Sequence, residues 1–337
     1  MSGFEIIRPL PGANFGARIE FDRAGAASVV ASAGAHPEAL PAALAQCGGL
    51  LLIKDMQAIA DDPALLIRLS HTFGVEVEDY TTTLTAQTAV HATVPQILVV
   101  SNLPPVNRPP PARPDPPLTA DGKLPVQYPQ RSGWHTDQSY RRPPPDISLF
   151  FAVTPVSKHT GQTIFANGTL AYAALPPALK ARVEGRDGLH VRLNTGRSRT
   201  AVLRGDKPRP LAPHELPQRQ PLVRLHPVTG APALYLCESS QMDWVDGPIV
   251  GLEPGPHGDG AALLDELMTH LTRPEFVYAH EWERGDVLVW DNRCLVHTAT
   301  WFDAEVEGRV MWRTTVHGNP GPLYAGESKS WLPQAAE

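Results

Sequence analysis

Nothing in the 337-residue chain approaches the roughly 20 consecutive apolar residues that cross a bilayer. A membrane partner is therefore not expected. The opening MSGFEIIRPL also lacks the basic start, apolar run and small-residue cleavage site of a secretory leader. Cysteine is scarce. Cys47, Cys237 and Cys294 are too few and too scattered for a disulfide framework, and no C-x-x-C pair offers a zinc site. These absences lead to the expectation of a reduced, cytoplasmic protein. Positive charge is not in excess either: the net charge is −6 and the pI near 6.1. Nucleic acid and anionic membranes, which favour a basic surface, are disfavoured as partners. No G-x-G-x-x-G or G-x-x-x-x-G-K-[ST] loop occurs, and βαβ alternation is absent, which argues against a nucleotide-binding α/β enzyme.

What is plentiful is proline, 36 residues against a usual share of about 5%. Many lie in LPPVNRPPPARPDPPLTADGKLPVQYP, residues 103–129. A structureless stretch of that length is either a linker or a functional loop, depending on whether its flanks share one site. The flanks differ in texture. Before it, residues 37–48 and DDPALLIRLSHTFG (61–74) read as helices, the second with Asp62 as cap, Pro63 in the first turn and Gly74 as stop. LLLIKD and QILVVSN read as strands. After it come DISLFFAV, GQTIFAN, ALYLCE, EFVYAHEW, DVLVWDN, CLVHTA and RVMWRTTVHG, all short strands, with ERGD (283–286) as a turn and one late helix over 259–274. Many short strands with two or three helices predict a mainly β fold with helical decoration, a sandwich or jelly roll.

The chemistry-bearing residues are few. In SGWHTDQSY, His135 and Asp137 are two apart; on a strand they share a face and could hold one cation. Alone this is weak, since H-x-D is common and the chain has 13 histidines. Downstream, WDNRCLVHTATWF adds His297. Two histidines and a carboxylate on one face of a metal make the facial triad of non-haem iron(II) oxygenases. In GRVMWRTTV, Arg309, Met311, Arg313 and Thr315 share one strand face, and Val310, Trp312, Thr314 and Val316 the other. If both faces are covered, two guanidinium groups point inward and call for an anion. An edge strand with two solvated arginines is the competing reading.

The order W-H-T-D, G-x-T, G-D-V-x-x-W-D-N-R-x-x-x-H and R-x-x-x-R-T-T-V resembles the TauD/TfdA family of Fe(II)- and 2-oxoglutarate-dependent dioxygenases, and FGARIEF, LLLIKDM and RLSHTFG echo its N-terminal half. The resemblance implies a double-stranded β-helix (jelly-roll, cupin-like) core in a single domain over 1–337, with a Pro-rich lid at about 103–131. It implies His135, Asp137 and His297 as iron ligands, Arg309 and Thr163 as the grip on 2-oxoglutarate, and Gly133 and Trp134 as the frame. Arg313 would reach the substrate or the co-substrate. Arg131, where some relatives carry asparagine, is a candidate for the substrate anion. The implied reaction consumes O2 and 2-oxoglutarate, releases succinate and CO2, and hydroxylates a small organic acid, carboxylate or sulfonate. The implied assembly is a dimer or tetramer. Two other classes stay open: a zinc hydrolase on the same three ligands, and a binding module that has kept the fold and lost turnover.

Overall fold

The alternation in VMWRTTVH is realised as strand Val310–His317, which sends Val310, Trp312 and Val316 into one apolar cluster and Met311 into another on the opposite face. This computed structural model describes residues 3–332 apart from 8, 24, 84 and 239, so both ends of the 1–337 expectation lie outside it. The strand belongs to an eight-stranded sheet in the order Phe4–Ile7, Ala17–Phe21, Leu50–Ile53, Val287–Asp291, Ile147–Thr154, Val310–His317 and Glu76–Val77, with Leu98–Ser101 also paired to Val310–His317. A second sheet has three strands, Val277–His280, Thr163–Asn167 and Leu295–Ala299, all antiparallel.

Four layers follow from where the side chains go. Helices Ala26–Ala35, Ala39–Gln46 and Ala64–His71 cover the outer face of the large sheet through Val29, Leu44, Leu66 and Leu69, which pack on Leu51, Phe151, Val289 and Trp312. Phe150, Leu288, Trp290 and Met311 face inward and meet Phe165, Tyr278 and Leu295 of the small sheet. The outer face of the small sheet, Ile164, Ala166 and Val296, is covered by helices Asp259–Leu271 and Gly168–Ala173. The molecule is thus mixed α/β with one large sheet, and helix is more abundant than mere decoration: seven α-helices are present among the described residues. None is long and apolar enough to cross a membrane.

Helix Ala26–Ala35 escaped the sequence reading because AASVVASAGA has no charged face against which an apolar stripe could stand out. Gly168–Ala173 escaped because it follows its strand without a break; Asn167 ends the strand and caps the helix by accepting from the Thr169 and Leu170 amides. The expected helix at 61–74 is confined to Ala64–His71, with Asp62 accepting from the Ala64 amide. ALYLCE is strand only over Pro232–Leu234.

One buried ionic cluster ties the inner layers together. Arg293 grips Asp291 through both guanidinium edges, Nε to Oδ1 at 2.8 Å and Nη2 to Oδ2 at 2.6 Å, and His226 Nε2 lies 2.9 Å from Oδ2. Cys294 completes a potential metal-binding group with His226 and Asp291. Asp291 is saturated by its partners, however, and burial and the Asp291 charge hold the Cys294 thiol protonated, so the cluster is structural. Asp291→Ala strands a buried guanidinium and is expected to cost about 3–5 kcal/mol in denaturant unfolding at pH 7. Burial alone would raise the Asp291 carboxyl, but Arg293 and His226 outweigh it and hold it well below the usual carboxylate range. A carboxyl depressed in the fold contributes fully above its unfolded value of about 3.9 and loses that contribution as pH falls further. The gap between wild type and Asp291→Ala should therefore narrow at pH 3; a gap that widens would contradict this assignment.

Candidate metal and co-substrate site

Two histidines far apart in the chain meet as a single rung. The His135 amide donates to the His297 carbonyl at 2.9 Å and the His297 amide to the His135 carbonyl at 2.7 Å. Residues paired in this way project side chains to the same side, and the two rings lie 4.3 Å apart, centre to centre. Strand Leu295–Ala299 presents His297 into the space between the sheets, beside Phe165 and Trp290. His135 is aimed by a bond between its Nδ1 and the Gly133 carbonyl at 2.8 Å. A carbonyl only accepts, so Nδ1 carries the proton and Nε2 is left as a lone-pair donor. Gly133 adopts φ +82°, and a Cβ there would stand 3.1 Å from Thr298 Oγ1.

Asp137 does not share a strand with His135. His135 makes an isolated bridge, and the chain then turns through Asp137 to Tyr140, with Gln138 at φ 52°. The turn, rather than a two-residue repeat, brings Asp137 Oδ1 to 4.0 Å from each histidine Nε2. The three ligand atoms lie within 4.8 Å of one another; two bonds of about 2.1 Å span at most about 4.2 Å, so the three side chains would draw together around a bound cation. Asn292 and Ser148 hold the turn. Asn292 Oδ1 accepts from Trp290 Nε1 at 2.9 Å and from the Asp137 amide at 3.3 Å. Its Nδ2 donates to Ser148 Oγ at 2.9 Å, and Ser148 donates to Asp137 Oδ2 at 2.7 Å. Sequence reasoning missed both residues as positioning groups, although Asn292 stands inside the quoted W-D-N-R motif.

The protonation states suit a metal. Burial would raise the Asp137 carboxyl, but Arg313 and the two histidines outweigh it and hold it at about 2, so it is ionised. Burial, aided by the neighbouring positive groups, pushes His297 down to about 3, and His135 is lowered for the same first reason. Two neutral imidazoles and an ionised carboxylate on one side of a cavity are the donor set of a divalent transition metal.

That cavity holds about 270 Å³ and is lined by His135, His297, Phe150, Trp290, Thr163 and Arg309, among others. Arg309 precedes its strand, with its amide bonded to Asn102 Oδ1 at 2.8 Å. It is buried, yet Nε and Nη2 have no hydrogen-bond partner. Burial and the nearby Arg108 charge bring it down to about 10, which leaves it charged at neutral pH. Thr163 Oγ1 accepts from Trp282 Nε1 at 3.0 Å, so its own proton is available to the cavity. Gly161, two residues earlier, sits at φ +59°, and a Cβ would come within 2.4 Å of Val156 Cγ2.

Arg313 also lines the cavity, and its Nη1 donates to Asp137 Oδ1 at 2.7 Å. Arg131 is not among the lining residues. Its Nε donates to the Pro125 carbonyl at 3.2 Å, and its carbonyl accepts from Trp134 Nε1. The loop fold turns the side chain back on its own segment. The Pro-rich stretch divides in two. Residues 108–111 line the cavity, while 124–128 is fastened to helix Asp259–Leu271 and the residues after it, as where Tyr128 bonds Asp265 and Thr272. Arg108 was not singled out from sequence, because an arginine among exposed prolines looks like any solvated one.

Over residues 7–315 the sequence matches the family described as "Taurine catabolism dioxygenase TauD, TfdA family". It is 35% identical over 199 residues to an (S)-phenoxypropionate/alpha-ketoglutarate-dioxygenase of Sphingobium herbicidovorans, covering 56% of this chain and 63% of that protein. To an alpha-ketoglutarate-dependent 2,4-dichlorophenoxyacetate dioxygenase of Cupriavidus pinatubonensis it is 34% identical over 185 residues, covering 54% and 59%. These matches span about three fifths of the relatives' length. The crystal structure of AAD-2 in complex with Mn(II) and N-oxalylglycine superposes with a TM-score of 0.64 at 26% identity, over 94% of this chain and 97% of that one.

Proposed function

Because this chain belongs to the TauD/TfdA dioxygenase family, we propose that it uses iron(II) and 2-oxoglutarate to hydroxylate a small organic acid. In this reading the two sheets are the walls of a double-stranded β-helix, and His135, Asp137 and His297 hold the iron. The observation that carries it is Arg309, a buried guanidinium whose Nε and Nη2 have no hydrogen-bond partner among the described residues, lining the same cavity as His135 and His297. An unpaired buried cation is costly, and a carboxylate matches its fork. Arg309 and Thr163 would take the distal carboxylate of 2-oxoglutarate. A hydrolase on the same ligands would give neither residue a task.

When bound, the metal would supply activation of O2, the oxidant, and 2-oxoglutarate would supply two of the four electrons O2 takes up as it is decarboxylated to succinate and CO2. The remaining work is the protein's. The His135 Nδ1 bond fixes that ring, and Ser148 with Asn292 fixes the Asp137 carboxylate. Phe150, Trp290 and Pro109–Pro111 line the chamber with apolar surface and limit water. Arg313, which lines the cavity beside Asp137, would take an anionic group of the substrate.

The test begins without a substrate. Anaerobic iron(II) plus 2-oxoglutarate should give a weak visible charge-transfer band. Under oxygen, succinate release should rise with one or more members of a panel of carboxylates and sulfonates. No band, or product formation independent of oxygen and 2-oxoglutarate, would overturn the proposal.

A further inference from the structure

We infer that Arg108 binds a second negative charge on the primary substrate, so that organic dianions are the preferred substrate class. The inference rests on the iron and 2-oxoglutarate reading above and goes beyond it in naming the substrate's charge.

Arg108 is held in place rather than loosely tethered. The chain reverses at Leu103, whose carbonyl accepts from the Val106 and Asn107 amides, and the Arg108 amide then bonds the Ser101 carbonyl at 2.8 Å. Ser101 ends strand Leu98–Ser101, which pairs with Val310–His317 so that Ser101 faces Val310 and Leu98 faces Arg313. Arg108 is thereby set beside the strand end from which Arg309 and Arg313 project. Pro109, Pro110 and Pro111 follow it along the cavity wall, and their fixed φ reduces the freedom lost when a ligand is gripped. The Arg108 residue remains open to solvent on its outer side. Its side chain has no hydrogen-bond acceptor among the described residues. Its charge is close enough to lower Arg309 and to add to the lowering of both histidines.

The charge balance gives the class. Among the described residues the charged ones lining the cavity are Arg108, Arg309 and Arg313, with neither aspartate nor glutamate. Behind them stands ionised Asp137, so the protein groups alone carry an excess of two positive charges. A divalent metal raises the excess to four, and 2-oxoglutarate, with two carboxylates, returns it to two. A monoanionic acid would leave one positive charge in excess, with Arg108 matched by water alone, whereas a dianion would bring the balance to zero and give Arg108 a charged acceptor. Arg313 bonds Asp137 directly, whereas Arg108 is the solvent-exposed one of the two. The second oxyanion therefore sits at the end of the substrate remote from the reacting carbon.

The test uses matched pairs of acids: hexanoate with adipate, and phenoxyacetate with 4-carboxyphenoxyacetate. Each is titrated anaerobically into protein loaded with iron(II) and 2-oxoglutarate, and binding is read from the change in the visible band without turnover. The dianion of at least one pair should bind about tenfold or more tightly than its partner. Arg108→Gln should abolish that preference while leaving the monoanion and 2-oxoglutarate affinities within about threefold. Arg108→Lys should retain part of it, as a point charge without the fork. Absence of any preference, including the case in which neither pair binds, overturns the inference, as does a preference that survives in Arg108→Gln. Failure of the band itself would instead strike the co-substrate reading, so the two are separable.

Discussion

Arg309→Met is expected to make the ligand-free protein more stable and the 2-oxoglutarate complex far weaker. The two effects have one cause. In the ligand-free protein the Arg309 guanidinium is buried with Nε and Nη2 unpartnered. Replacing an unsatisfied buried group by an apolar side chain of similar length removes a desolvation penalty of about 1–3 kcal/mol. In the complex the same group is half of a buried charge pair, and removing one half costs about 2–5 kcal/mol, roughly a 30-fold or greater rise in the 2-oxoglutarate KM. Denaturant unfolding without ligand and steady-state kinetics decide the matter. A less stable variant with an unchanged KM would remove Arg309 from the co-substrate site.

Asp137→Ala should move stability the other way. Arg313 Nη1 donates to Asp137 Oδ1, and Asp137 is the largest favourable influence on the Arg313 charge. Removing the carboxylate strands a guanidinium that is nearly but not wholly buried, its side chain 16% exposed. A cost of about 2–3 kcal/mol is expected, below the full figure for a closed interior. Activity should fall much further. Groups that merely position metal ligands cost 10–100-fold when removed, and Ser148→Ala should land in that range through its bond to Oδ2. A ligand should exceed it, so Asp137→Ala is expected to lose about 10³-fold or more of iron-dependent succinate release. Equal effects of Asp137→Ala and Ser148→Ala would mean that Asp137 is not a ligand.

The strands were legible because each is a short apolar run bounded by turn residues, and because alternate positions of Val310–His317 serve two different apolar clusters. The face pattern of VMWRTTVH was readable, and Trp312 and Val316 do lie opposite Met311. The inward approach of Arg309 and Arg313 could be read from the same pattern, since two apolar layers enclose that strand. What could not be read was anything set by a turn. His135 and Asp137 would share a face on a strand, but a bridge followed by a turn brings them together instead. Arg131 was expected near the substrate from its distance in sequence to His135, but three residues of irregular backbone carry its side chain toward Pro125. Arg108 lies 27 residues before His135 in sequence, and only the Ser101 bond at the strand end brings it to the cavity. Loops conceal their direction because no repeat governs where successive side chains point.

The rung between His135 and His297 has a consequence for biogenesis. Strand Leu295–Ala299 is registered against Thr163–Asn167 with His297 opposite Phe165. A slip of one residue would turn His297 out toward the helices and bring Val296 or Thr298 inward. A misregistered chain could bury nearly as much apolar surface, because the neighbours are themselves apolar or small, but it would present one imidazole instead of two. On the proposed ligand set, metal uptake would then work as an inspection step: only chains whose sheets had closed in the correct register would become holoenzyme, and a population of stable but metal-refractory molecules would be the signature of misassembly.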